Sequence, residues 1–314
     1  MASIGSQLAG LWYPADPQEL KQVFQTTRTS NPLQPGSNTN LQNTNQIPEP
    51  GTFTPSVLVM PHAGLAYSAR GQAAALAYLT PNIQSILILS PSHRVALPPE
   101  TFIFSNADTW HTPLGRLPGV DFKSLSRAEK LREHPEIVAN EHGIELMLPG
   151  IAWKTQQWNQ KPEIGALVVP SVRTEDQILK LSQILNTQVV PALPQPALVL
   201  VSSDFCHYGP RFSFTPWGSF ALPSTRQQVK QGDLEIAELA GKADQHSIQQ
   251  IIKGLQKPTM PTICGIIPLL LATLLDQEHS RTGHVLDYYH SDDGGHDENA
   301  VAYCPMVFTG GFHA

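Results

Sequence analysis

Four short stretches of this chain are apolar at nearly every position: Ser56–Met60 (SVLVM), Ser85–Leu89 (SILIL), Ile164–Pro170 (IGALVVP) and Ala197–Val201 (ALVLV). Apolar runs of this length read as buried strands. Thr101–Phe104 is a further strand candidate. Between the runs the period changes. Ser68–Leu79 is Ala-rich and helical, and Asp121–Leu131, Asp176–Leu185, Gly232–Ala240 and Ser247–Leu255 show helical spacing. Ile266–Leu275 is a strongly apolar helix. Asp16 as N-cap and Pro17 as first helical residue start an amphipathic stretch over Gln18–Phe24. Apolar runs separated by helices predict parallel βαβ units, whose outgoing loops share one edge of the sheet. The tail reads as Val285–Tyr289, an acidic loop His290–Asn299 and a terminal hairpin over Val301–Phe308.

The residues that leave the strands carry the chemistry. Ser56–Met60 runs into Pro61-His62-Ala63-Gly64, and Ser85–Leu89 into Ser90-Pro91-Ser92-His93. Two units of one form thus deliver His62 and His93 to neighbouring loops. The stretch Leu198–Gly209 (LVLVSSDFCHYG) passes from strand to small, acidic, sulfur- and imidazole-bearing residues. Such a switch marks the carboxyl end of a strand, where ligands collect in open α/β sheets. Asp204 and His207 stand close enough for one loop to present both. Cys264 precedes the apolar helix, a position that lowers a thiol's pKa and favours the thiolate. Asn140–Leu148 (NEHGIELML) reads as a helix capped by Asn140. On its first turns the acids Glu141 and Glu145 complement the helix dipole; alternatively, Glu141 or His142 lines the site. Asp108–Gly115 (DTWHTPLG) reads as a loop.

Composition narrows the classes. The chain has 314 residues, 41% of them hydrophobic, enough for a large core. A formal net charge of −6 offers no electrostatic footprint for nucleic acid or an anionic membrane surface. Only 15% of residues are charged, so much of the surface is uncharged and polar. The N-terminus lacks a basic segment followed by an apolar one, and no run reaches transmembrane length. Cys206, Cys264 and Cys304 have no framework spacing, which implies reduced thiols and a cytoplasmic location. Thr26–Pro55, almost devoid of apolar periodicity, reads as a flexible polar insertion. No GxGxxG, P-loop, CxxC pair, HExxH or GxSxG occurs, and Ser202 and Ser203 lack a nucleophile-elbow context.

Taken in register, AGLWYP (Ala9–Pro14), PHAGLAYS (Pro61–Ser68), SPSH (Ser90–His93), TPLG (Thr112–Gly115), NEHGIELMLP (Asn140–Pro149), SSDFCHYG (Ser202–Gly209) and TICG (Thr262–Gly265) resemble the Memo family. Its name stands for mediator of cell motility, and its prokaryotic members are called AmmeMemoRadiSam system protein B. The resemblance covers almost the whole chain apart from Thr26–Pro55. It implies one α/β domain over residues 1–314, a three-layer α/β/α fold with a central mostly parallel or mixed sheet. That is the fold of the class III extradiol ring-cleaving dioxygenases, which are non-haem iron enzymes. The resemblance also implies a metal on His62, His93 and Cys264. Asp204 and His207 match the remaining site residues, with His207 in the place of the catalytic base and Asp204 as its orienting partner. Glu141, His142, Cys206 and His290 are further candidates for the pocket wall. Met147 and Ile266-Ile267 stand where relatives are expected to carry histidines, so the outer pocket is expected to be more apolar.

A thiolate in place of the dioxygenases' carboxylate softens the ligand set. It suits iron(II) first, with copper or zinc as alternatives. It is also oxidisable, which argues against catechol ring cleavage. Three functions are compatible with such a site: a metal-dependent redox or oxygen-handling enzyme, a protein that binds a small molecule, peptide or anionic ligand, and a metal-assisted hydrolase. The family name further implies radical-SAM and AMMECR-type pathway partners.

Overall fold

The computed structural model describes residues 3–30, 47–275, 281–292 and 297–310. Its centre is an eight-stranded mixed sheet. In chain order its strands are β1 (Val57–Met60), β2 (Ser85–Pro91), β3 (Phe102–Phe104), β4 (Leu131–Glu133), β5 (Glu163–Val169), β6 (Ala197–Ser202), β7 (Thr282–Val285) and β8 (Met306–Thr309). The spatial order is β7-β8-β1-β6-β2-β5-β3-β4. The four predicted apolar runs form its parallel middle, β1-β6-β2-β5. Antiparallel strands flank them on both sides.

Alternate residues of each central strand enter different cores. Val57, Val59, Leu87, Leu89, Val199 and Val201 pack on one face. Leu58, Met60, Ile86, Ile88, Leu198 and Leu200 pack on the other. Burial on both faces explains why these strands read as unbroken apolar runs. The first core is closed by helices Glu175–Ile184, Pro223–Lys242, Gln245–Gly254 and Ile266–Thr273, the second by Pro17–Ser30, Leu65–Leu76 and Leu148–Lys154. The result is the three-layer α/β arrangement, dioxygenase-like, that the motifs implied. No helix among the described residues is long and apolar enough to cross a membrane.

Several elements differ from expectation. Asp108–Gly115 is no loop but most of a hairpin, Thr109–Thr112 against Gly115–Pro118. Its Trp110 is buried and donates Nε1–H to the Ile164 carbonyl. Asp121–Leu131 holds only a 3₁₀ turn, Lys123–Arg127, before β4. Phe122, Leu125 and Leu131 all reach the core from that turn and strand, so no helix is required to bury them. Val301–Phe308 is not a hairpin. Ala300–Tyr303 pairs with His207–Tyr208 and Tyr289–His290, whereas β8 joins the central sheet. Pro305 separates the two, and a residue without an N–H suits that break.

The polar stretch also has narrower bounds than predicted. Thr26–Ser30 belongs to the first helix, while Ile47 and Phe53 pack on the second core. Residues 31–46 lie outside the described residues, as do residues 293–296 of the acidic loop.

Candidate metal centre

Strands β1, β2 and β6 end at one edge of the sheet, and their loops bring His62, His93 and Asp204 together. His62 is 2% exposed. Its Nδ1 lies 2.8 Å from the Ser202 Oγ, and that hydroxyl donates to the Gly143 carbonyl at 2.5 Å. Because the Ser202 proton is committed to Gly143, Ser202 accepts from His62 Nδ1–H. Nε2 of His62 is thereby left unprotonated, turned toward the Cys264 Sγ at 3.2 Å.

His93 repeats the device with a different acceptor. Its Nδ1 is 2.7 Å from Glu141 Oε1, and its backbone N–H donates to Oε2 at 2.9 Å. Glu141 also caps the short helix His142–Glu145, its Oε1 accepting from Gly143 N–H. Glu141 therefore takes both parts foreseen for it, and the cap falls to it, not to Asn140. The helix comes this close because position 143 is glycine. A Cβ there would stand 2.4 Å from the Ser90 Oγ and 3.4 Å from His62 Nδ1.

Cys264 reaches the same place from the turn before helix Ile266–Thr273. At Gly265 a Cβ would meet the Ser203 Cβ at 2.3 Å, so only glycine allows the turn to approach the end of β6. One ligand-type atom each from His62, His93 and Cys264 lie within 4.8 Å of one another. His93, Glu141 and His142 form a second such group. The second is an unpromising cage, because Glu141 already accepts three N–H donors. In the first, the imidazole hydrogen bonds run through Nδ1, the arrangement that fixes the tautomer of a metal-ligating histidine. A soft thiolate with two imidazoles fits zinc, copper or iron.

The surrounding charges are set by burial. His62 is held well below the usual imidazole range by burial, and further by neighbouring His93 and His142. His142 is lowered to about 4 for the same first reason. Burial pushes the Cys264 thiol well up, and the Asp204 charge pushes it the same way. The expected lowering at a helix N-terminus is thus outweighed. Asp204, 4% exposed, is raised by burial to about 6.

Asp204 accepts the His62 backbone N–H at 2.8 Å and stands 4.0 Å from His62 Nε2. The group that orients His207 is Thr262. His207 Nδ1 is 3.1 Å from the Thr262 carbonyl, and its amide donates to Thr262 Oγ1 at 2.9 Å. Thr262 Oγ1 in turn donates to the His207 carbonyl at 2.7 Å. The pairing of Asp204 with His207 is thus electrostatic only, since the His207 charge lowers the Asp204 pKa against the burial effect. The His142 ring lies 4.2 Å from His93 and 5.1 Å from Trp12, centroid to centroid, tilted against both. Trp12 is partly exposed, and Leu11 beside it is largely so. Cys206 and His290 converge elsewhere, on Asp233 and Tyr288. Met147 and Ile267 are buried in the two cores.

Ser202, Thr262, Gly143 and Gly265 are the positioning residues that the sequence reading missed. The glycines lay inside quoted motifs, but nothing in their spacing showed what they approach.

The fold and site define an α/β protein of dioxygenase-like architecture with a two-histidine, one-cysteine metal-type cluster at the sheet edge. The family description "Memo-like protein" matches residues 5–307, and the chain belongs to that family. Relatives include "Protein memo-1 homolog" of Caenorhabditis elegans, 31% identical over 245 residues; the match spans 74% of this chain but only 64% of the worm protein. "MEMO1 family protein MHO1" of Saccharomyces cerevisiae is 25% identical, over 81% of this chain and 75% of the yeast protein. A MEMO1 family protein of Methanopyrus kandleri is 24% identical over 97% of this chain and 98% of its own length.

Proposed function

We propose that the protein binds one transition metal ion through His62 Nε2, His93 Nε2 and Cys264 Sγ, and works as a metal-dependent redox or oxygen-handling enzyme. The observation that carries this is the paired tautomer lock. Ser202 and Glu141 each hold an Nδ1–H, so both free Nε2 atoms are available beside one sulfur. Iron(II) is the metal assigned first, then copper or zinc. When bound, it supplies Lewis acidity and, if iron or copper, electron transfer. His207 holds its ring by Nδ1 and keeps Nε2 for moving a proton at the mouth of the site. Asp204 fixes the His62 loop and presents a carboxyl that burial raises to about 6. The three unpaired cysteines suit a reducing cytoplasm. Radical-SAM and AMMECR-type proteins are the partners to test first.

A second reading, a protein that binds a peptide or small molecule at the same mouth, is favoured by one observation. Trp12 lies against His142 while remaining 39% exposed. Metal analysis of anaerobically purified protein and its Cys264→Ala variant tests the first reading. One ion per chain in the parent and none in the variant is expected. Equal content in both would overturn it. Oxygen consumption by the iron-loaded protein then separates the enzyme from the binding protein.

A further inference from the structure

Behind the loop that carries His207 lies a buried carboxyl that the metal reading does not use. Asp233, within helix Pro223–Lys242, is 0% exposed. Its Oδ2 accepts from the Tyr288 hydroxyl at 2.8 Å and from the Cys206 amide at 3.3 Å. Its Oδ1 has no hydrogen-bond partner. His290 Nε2 lies 3.2 Å from the same Tyr288 hydroxyl. Cys304 is the other buried thiol close enough to feel the Asp233 charge, and Lys230 lies 5.8 Å from the Tyr288 ring centre.

An acid kept there is costly. A buried polar atom without a partner forfeits the hydrogen bonds it would make to water, and an apolar residue on the helix would remove that cost. What Asp233 provides in exchange is a grip on the Cys206 amide, one residue from His207. Thr262 grips the next amide and the His207 ring.

We propose that Asp233 is a positioning residue for His207: it fixes the Cys206 end of the Cys206–His207 segment while Thr262 fixes the other, and so sets the direction of the imidazole. The proposal rests on the reading above only for the importance of His207. Burial raises Asp233 to about 7, so the group is partly neutral at physiological pH. An uncharged amide should therefore replace it. Asn in its place still offers one oxygen to Tyr288 and Cys206, whereas Ala offers none.

The test is histidine-ring NMR on the full-length chain, with and without one equivalent of zinc, for the parent, Asp233→Ala and Asp233→Asn. In Asp233→Ala the His207 Nδ1 proton should exchange with solvent about tenfold faster, the loss of roughly one hydrogen bond. The His62 and His93 Nδ1 protons should exchange as in the parent. Asp233→Asn should restore the parent rate at His207. Unchanged His207 exchange in Asp233→Ala would overturn the proposal, and so would equal acceleration at all three histidines, which marks general loosening. If Asp233→Ala fails to fold, the near-isosteric Asp233→Leu, which likewise offers no oxygen to the Cys206 amide, decides, with selective acceleration at His207 expected and none contradicting the proposal. Zinc stoichiometry in the same samples reports on the metal reading separately, so failure of one is not failure of the other.

Discussion

The inner and outer halves of the metal-type cluster solve one problem in opposite ways. Asp204 and Glu141 are comparably buried, 4% and 2% exposed, yet their carboxyls shift in opposite directions. Burial raises both. At Glu141 it is outweighed by three N–H donors, two of them from His93. Asp204 receives backbone N–H donors from His62 and Ala63 but none from a ring, and stays raised. The imidazoles mirror this. Fully buried His62 leans on a neutral hydroxyl, whereas His93, its side chain 23% exposed, leans on a carboxylate. Donor supply, and not depth, decides where a carboxyl keeps its charge. Charge is therefore kept at the half whose histidine is the more exposed.

Four outcomes would sharpen or break this contrast. The largest effect is expected for His62→Ala and His93→Ala, each abolishing stoichiometric zinc binding in calorimetry. Retention by either would break the symmetry of the two halves. Next come the acceptors. Glu141→Gln should weaken zinc by about 100-fold and Ser202→Ala by about 10-fold, the two ends of the usual range for groups that orient metal ligands. The reverse order would show that the charge at Glu141 is not what matters.

The third outcome concerns pH. His142 is depressed to about 4, so the unfolded chain binds more protons than the folded one between about 4 and 6.5. Its contribution to stability is full above about 6.5 and is lost as pH falls toward 4. Asp204 and Asp233, raised to about 6 and about 7, act with the opposite sign and lose their contribution as pH rises through those values. A single variant isolates the first effect. Relative to the parent, His142→Asn should gain on the order of 2 kcal/mol between pH 7 and pH 4.5 in urea unfolding. A constant difference across that range would contradict the shift. The smallest change is expected for His207→Ala, whose zinc affinity should stay within about 10-fold of the parent. Complete loss would make His207 a ligand.

The sheet was legible because both its faces are buried. Continuous apolar runs do not depend on a guess about which side is wet, and β1, β2, β5 and β6 fell within a residue or two of their predicted ends. The residues of the cluster could be read because each follows such a run or opens a helix. What could not be read were contacts across the chain. Ser202 donates to Gly143 and accepts from His62, and Thr262 exchanges hydrogen bonds with His207, across separations of 55 to 140 residues. The thiol of Cys264 was misjudged for a related reason. Its helix N-terminus is local and visible in sequence, but the desolvation that outweighs it comes from the whole fold. The tail went astray because Ala300–Tyr303 and β8 are two short apolar runs close together in the chain, which suit a hairpin, while each pairs with distant strands.

The most direct test of the central claim is X-ray absorption at the zinc edge of the zinc-loaded protein. One sulfur at about 2.3 Å and two imidazole nitrogens at about 2.0–2.1 Å are expected, with the sulfur shell absent in Cys264→Ala. A coordination shell of nitrogen and oxygen alone in the parent would contradict the account.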